Sequence, residues 1–335
     1  MKRRLLAVAA SAALALGLPA TTAGATDSPG NGGGNGPDIE VREAATTQAE
    51  NDRIVRYWTP ARMRAARSAD ILVSDRDTSG ADGTVATGAP RVVGPQRKPG
   101  GGGSGAGFQG GYYEGGGTVT RTTGKVFFTL GGTNYVCSGS SVSAANRDLV
   151  LTAGHCLNEG PGAYATNWAF VPGYDDGARP HGTFTARMLV TTSQWANQGD
   201  FDYDVAFAVM NPVGGTDLAD TVGTQGIGFN LPRGEYVHAF GYPHASPYDG
   251  SDIAWCHGTV VQDTFGGSQD QGLDCNMTGG SSGGPWFRSY DTASGVGTLT
   301  SVNSFKYRAG RYKSYMFGPY LGSVAQNLYG QAQHL

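Results

Sequence analysis

The sequence predicts an all-β fold of many short strands, arranged as a sandwich or a pair of barrels and closed by one C-terminal helix. Three observations carry this expectation. The 335 residues include 55 glycines while only 15% are charged, a composition that favours strands and turns over helices. From about Thr118 onward, short runs rich in β-branched and aromatic residues alternate with glycine-containing turns. Near the end, Tyr320, Leu321, Val324 and Leu328 recur at helical spacing, marking a single amphipathic helix.

Taken in order, the N-terminus has Lys2, Arg3 and Arg4, an apolar stretch from Leu5 to Leu18, and then Ala23-Gly24-Ala25. This is the layout of a secretory signal peptide over residues 1–25, with cleavage expected after Ala25. The apolar run is shorter than the roughly 18 residues that a membrane anchor needs. Residues 26–117 contain the glycine runs 32–34, 100–103 and 115–117, with apolar residues too sparse to enclose a core. They read as a glycine-rich pro-region or linker, largely disordered. Inside it, Tyr57-Trp58-Thr59-Pro60-Ala61-Arg62-Met63 offers a capping threonine and a first-turn proline. That pattern suits a short helix, either transient or serving as a docking element of a pro-region.

Residues 118–335 carry the strand signals. Lys125–Leu130 stops at Gly131-Gly132, Asp148–Thr152 at Ala153-Gly154, and Tyr236–Phe240 at Gly241. All four cysteines, Cys137, Cys156, Cys256 and Cys275, lie in this part. In an exported chain they are expected to pair, and their spacing favours two local loops, Cys137 to Cys156 and Cys256 to Cys275. Each would contribute about 3 kcal/mol by restricting the unfolded chain. No pair has the short spacing of zinc ligands, so no metal site is expected from them. The net charge of -3 gives no reason to expect nucleic acid, which needs a basic surface; the one basic run, Arg53 to Arg67, lies in the pro-region.

Two segments hold the chemistry. Thr278-Gly279-Gly280-Ser281-Ser282-Gly283-Gly284-Pro285 places Ser282 in a glycine-rich turn that can aim backbone N–H groups at a substrate. Far upstream, Thr152-Ala153-Gly154-His155-Cys156 sets His155 after a strand, beside a cysteine that can tether it. A serine hydroxyl needs such a base to become a nucleophile, and the base needs a buried carboxylate to fix its tautomer. Phe201–Val209 supplies Asp204 at the mouth of an apolar strand. Asp202 is its rival, because in an extended chain it would point to the same face. Asp204 is preferred, since it abuts Val205-Ala206 and has the better prospect of burial.

Cys137-Ser138-Gly139-Ser140, Leu151–Cys156, Asp204-Val205-Ala206 and Gly280–Pro285 together resemble the motifs of chymotrypsin-like serine proteases, in that family's order. The resemblance runs from about Thr118 to the C-terminus. It implies two six-stranded antiparallel β-barrels with the site between them and a C-terminal helix. It also implies Ser282 as nucleophile, His155 as base and then acid, Asp204 as orienter, and the N–H groups of Gly280 and Ser282 as the oxyanion hole. In texture the chain resembles secreted bacterial glutamyl-endopeptidase-like members, with Gly284 where that subgroup has serine, and trypsin-like peptidases of actinomycetes. Animal-type members carry aspartate just before the nucleophile, to pair with a newly released N-terminus; Ser281 stands there and cannot hold a charge. Activation is therefore expected to need removal of the pro-region, between Gly100 and Lys125.

By the same resemblance the primary substrate pocket would be formed by Asn276 at its base, Met277, and Ser304 on the strand Thr300–Phe305, which would hold the substrate backbone. Asn276 removes the aspartate of a trypsin, and Met277 and Asn303 remove the marks of glutamate specificity, so an uncharged preference is expected.

Other readings are open to test. Gly280–Gly284 also fits the nucleophile elbow of an α/β-hydrolase esterase, but that fold needs its histidine after the serine, and only the penultimate residue, His334, follows Ser282. A catalytically silent protease-fold binding protein would normally have lost a triad residue, and none is replaced. Tyr174-Asp175-Asp176-Gly177 is read as a turn in preference to a calcium site. The expectation is a secreted, extracellular, monomeric enzyme without cofactor, acting on proteins or peptides, with neither nucleic acid nor a membrane as stable partner.

Overall fold

The computed structural model describes residues 39–72, 84–95, 105–264 and 268–335. The signal segment, its cleavage point and the glycine runs 32–34 and 100–103 lie outside the described residues. Among those described, no helix is long and apolar enough to cross a membrane.

The first half of the 118–335 region is a closed barrel of six antiparallel strands. Around it run Phe184–Thr192, Ala206–Met210, Leu149–Thr152, Thr133–Ser141, Thr123–Leu130 and Thr166–Pro172, and the last pairs back with the first. Every residue of Thr123–Leu130 is buried, so its near-continuous run of large side chains packs on both faces. Val126 lies opposite both Cys137 and Phe170, which fixes the register of three strands at the barrel's centre.

The second half supplies the strands of the expected second barrel, divided between two sheets. Its strands form a seven-stranded sheet in the order Arg91–Val93, Gly226–Phe229, Val296–Val302, Pro285–Asp291, Tyr236–Gly241, Ala254–Thr259 and Phe108–Tyr112. A separate three-stranded sheet joins Val261–Gln262, Gln271–Asp274 and Tyr315–Gly318. The two sheets are joined at Val260, the one residue between Ala254–Thr259 and Val261–Gln262, and again where Phe305, just beyond Val296–Val302, bridges antiparallel to Phe317. An apolar cluster including Cys256, Cys275, Met277, Trp286 and Met316 fills the angle between the two sheets.

The C-terminal helix spans Ser323–Ala332. Val324 and Leu328 face inward as their spacing predicts, and Tyr329 is buried beside them, but Tyr320 and Leu321 precede the helix, which opens only after Gly322. Tyr329 donates to the Ser143 carbonyl at 2.7 Å, and its ring meets Phe207 and Phe229, one from each half of the fold.

The largest difference from expectation concerns residues 26–117, read from the sequence as largely disordered. Ile39–Glu43 adds an antiparallel strand to Phe184–Thr192. Helix Gln48–Tyr57 follows, opened by a capping box of Thr47 and Glu50, and then helix Pro60–Ala65, capped by Thr59 as its sequence predicts. Arg67–Ser68 pairs in parallel with Tyr135–Val136. Ile54, Trp58, Met63, Ala66 and Ala69 are buried in the same apolar cluster as the barrel. The segment builds no core of its own and borrows the barrel's, which is why sparse apolar residues suffice. Trp58 is fully buried, its ring centroid 5.4 Å from that of Phe127 and its Nε1 donating to the Asn167 carbonyl at 2.6 Å. Trp58→Ala should lower the unfolding free energy of the full chain by about 3–5 kcal/mol in urea titration.

Candidate active site

The Thr278–Pro285 loop is fastened from two sides. From the barrel, the Ser138 N–H donates to the Ser282 carbonyl at 2.7 Å and the Ser138 hydroxyl to the Gly280 carbonyl at 3.0 Å. From the second sheet, the Gly283 N–H donates to the Asn303 carbonyl at 2.7 Å and the Asn303 N–H to the Gly284 carbonyl at 2.9 Å. This exchange explains why the predicted strand Thr300–Phe305 stops at Val302: the next backbone groups belong to the serine loop. Gly283 has φ +78°, and a β-carbon there would strike Thr152 and the Ser138 carbonyl. A β-carbon at Gly284 would run into the Phe240 carbonyl, so the serine of the glutamyl-endopeptidase signature has no room here. Ser281 turns its hydroxyl back onto the Thr278 carbonyl at 2.8 Å.

His155 sits in a 3₁₀ turn, Gly154–Cys156, directly after Leu149–Thr152. The disulfide Cys137–Cys156 ties this turn to the neighbouring strand, and Cys256–Cys275 forms as well, the pairing that spacing favours. Asp204 has no solvent exposure and His155 has 1%. One Asp204 oxygen accepts the His155 backbone N–H at 2.8 Å, and the other meets Nδ1 at 2.8 Å. The Ser304 hydroxyl donates to that second oxygen at 2.5 Å. A carboxylate only accepts, so Nδ1 carries the proton and Nε2 is left with the lone pair. Nε2 is buried and has no hydrogen-bond partner among the described residues.

Asp202 goes elsewhere. Phe201–Tyr203 is a 3₁₀ turn opened by the Asp200 side chain, so the extended geometry that would align Asp202 with Asp204 is not formed. Its carboxylate accepts the Gln269 N–H at 2.5 Å, and burial pushes its pKa up to about 6.

The three pocket residues are not brought together in one way. Ser304 has both its hydroxyl and its N–H engaged, the former by Asp204 and the latter by the Phe317 carbonyl at 2.8 Å. Asn276 is exposed, with its Oδ1 accepting from the Tyr248 hydroxyl at 2.6 Å and its N–H donating to the Gln109 carbonyl at 2.6 Å. Met277, expected in the pocket, is fully buried instead, because Trp286 and the disulfide cysteines Cys256 and Cys275 pack with it in one apolar cluster.

Sequence reading missed Lys125. Within its apolar strand it is 1% exposed, donates to the Gly250 carbonyl at 2.7 Å, and lies 4.8 Å from the Tyr174 ring centroid and 3.5 Å from His244 Nδ1. His244 in turn gives its N–H to the Gly279 carbonyl at 2.6 Å. A charged residue inside an apolar run was the available signal. Burial pushes the ammonium pKa down from 10.5 to about 8, against attraction from Asp249 and Asp176. Between those pH values the unfolded chain holds the proton and the folded chain has lost it, so stability rises with pH. Relative to Lys125→Met, the wild-type chain should gain about 3 kcal/mol between pH 8 and 10.5 in parallel denaturation curves.

Residues 137–296 match the trypsin-like peptidase domain family. The crystal structure of protease Anisep from Arthrobacter nicotinovorans is 52% identical, with TM-score 0.61, over 65% of this chain and 98% of that one. The chain belongs to the trypsin-like serine peptidases. Thermostable serine protease AL20, from an extremophilic microorganism, is 46% identical with TM-score 0.61, over 65% of this peptidase and 99% of that chain. A Glu endopeptidase structure, 19% identical with TM-score 0.54 over 68% of this chain and 98% of that one, shares the fold. The extracellular metalloprotease of Bacillus subtilis (strain 168) is 30% identical over 92 residues, 28% of this peptidase and 27% of that protein's length. This trypsin-like peptidase is a serine endopeptidase, with proteins or peptides as its substrates.

Proposed function

We propose that the peptidase is exported as a zymogen and cleaves peptide bonds through an acyl-enzyme formed on Ser282. His155 Nε2 takes the proton as Ser282 Oγ attacks the scissile carbonyl, while the N–H groups of Gly280 and Ser282 receive the developing oxyanion. Asp204 holds the ring and stabilises the imidazolium, which then protonates the leaving amine. Water repeats the sequence to release the acid. The observation that carries this reading is the buried Asp204 carboxylate, which grips both the backbone and Nδ1 of His155 and leaves Nε2 unclaimed.

Export rests on the three-part N-terminus and agrees with the two disulfides. A mildly apolar or uncharged residue is preferred before the scissile bond, since Asn276 brings no charge to the pocket base. Mass spectrometry of the active form from culture medium, incubated with a mixed proteome, tests these points together. The expected mature N-terminus lies between Gly100 and Lys125, and the expected cleavage profile avoids charged residues. A mature form that keeps residues 26–99, or a profile dominated by Arg, Lys or Glu, would overturn the corresponding part.

A further inference from the structure

The segment that the sequence marks as linker crosses the site itself. Arg67–Ser68 pairs with Tyr135–Val136, next to the cysteine that tethers the His155 turn. The following 3₁₀ turn, Ala69–Leu72, packs against both Gly154–Cys156 and Thr133–Ser141. Ala69 is fully buried, and the side chain of Asp70 reaches the serine loop, where a β-carbon on Gly279 would collide with all three carboxyl atoms. The carboxylate thus rests on the backbone that leads into Gly280 and Ser282. Ser282 is 4% exposed and His155 1%, so the two residues that must meet a substrate are closed off in the full chain. The helices before the turn are anchored by Trp58, Met63 and Ala66, all buried in the barrel's core, which holds the turn in place without covalent linkage to the site.

We propose that residues 66–72 are an intramolecular inhibitor and that the Asp70 carboxylate is its contact group, seated at Gly279 on the edge of the loop that receives the substrate's carbonyl. This rests on the reading of Ser282 as nucleophile. A carboxylate resembles the carboxyl product of peptide hydrolysis in charge and shape, and it offers no scissile bond at that point. Trimming the chain after the domain boundary would remove the covalent link that keeps this ligand at high local concentration, so release follows from cutting well away from the site.

The test uses the intact chain, its mass verified before and after, and a fluorophosphonate probe that labels an activated serine. Asp70→Ala and the isosteric Asp70→Asn should each label at Ser282 at least tenfold faster than the uncut wild-type chain, approaching the rate of the trimmed enzyme. The asparagine variant preserves the turn's shape, so it stays informative if the alanine variant folds poorly. Equal labelling rates for wild type and Asp70→Asn, with the trimmed enzyme labelling rapidly, would overturn the inhibitor assignment and leave the catalytic reading intact. No labelling of Ser282 in any form, trimmed or whole, would overturn both.

Discussion

Replacing Ser282 with alanine should lower kcat by about a million-fold while leaving the fold unchanged. The size of the effect follows from how the site is built. His155 Nε2 has no other partner among the described residues, so without the hydroxyl there is nothing nearby for it to activate. What survives is the rate enhancement from oxyanion donors and substrate positioning, about 10³–10⁴ over water. Stopped-flow hydrolysis of a chromogenic peptide by the trimmed enzyme measures this, and a fluorophosphonate adduct found on Ser282 in wild type and on no residue in the variant locates it. A loss below a hundredfold would point to another nucleophile.

Asp204→Asn should cost about 10⁴ in kcat at neutral pH with little change in KM. The two oxygens of Asp204 accept from the His155 N–H, from Nδ1 and from the Ser304 hydroxyl. An amide has one acceptor oxygen and one donor NH₂. If the oxygen keeps the His155 N–H, the NH₂ faces Nδ1, the ring must place its proton on Nε2, and the base is lost. Proton-detected NMR of the imidazole reports the tautomer directly. Asp202→Asn supplies the contrast: its carboxylate serves the Gln269 N–H, and activity should stay within about twofold of wild type. Similar losses in both variants would mean that the aspartates act through stability alone.

The parts of this molecule that were legible in the sequence share a cause: they are written in local patterns. Lys125–Leu130, Leu149–Thr152 and Tyr236–Phe240 read as extended because their apolar runs end at glycine-containing turns, and all three are strands. The pairing of His155 with Asp204 was reachable because motif order and an adjoining apolar strand both pointed to it. What escaped depends on contacts between distant segments. Ile54, Trp58 and Met63 look too few to matter until the barrel's own apolar surface is placed beneath them. Asp70 carries no mark of its meeting with Gly279, more than two hundred positions away. Resemblance places Met277 in the pocket, whereas its packing with Trp286 and the Cys256–Cys275 disulfide decides that it is buried.

Asn303 has a role that extends past its two backbone bonds to the serine loop. Its amide also donates to the carbonyls of Phe240 and Ser281, both at 2.9 Å, and accepts from Trp286 Nε1 at 2.7 Å. One side chain thus bolts the reactive loop to the rear wall of the second sheet, on the side away from solvent. Chemistry and taste are thereby mounted separately: the exposed Asn276, proposed above as the pocket base, lies outside this clamp and can be replaced while the serine stays in register with its histidine.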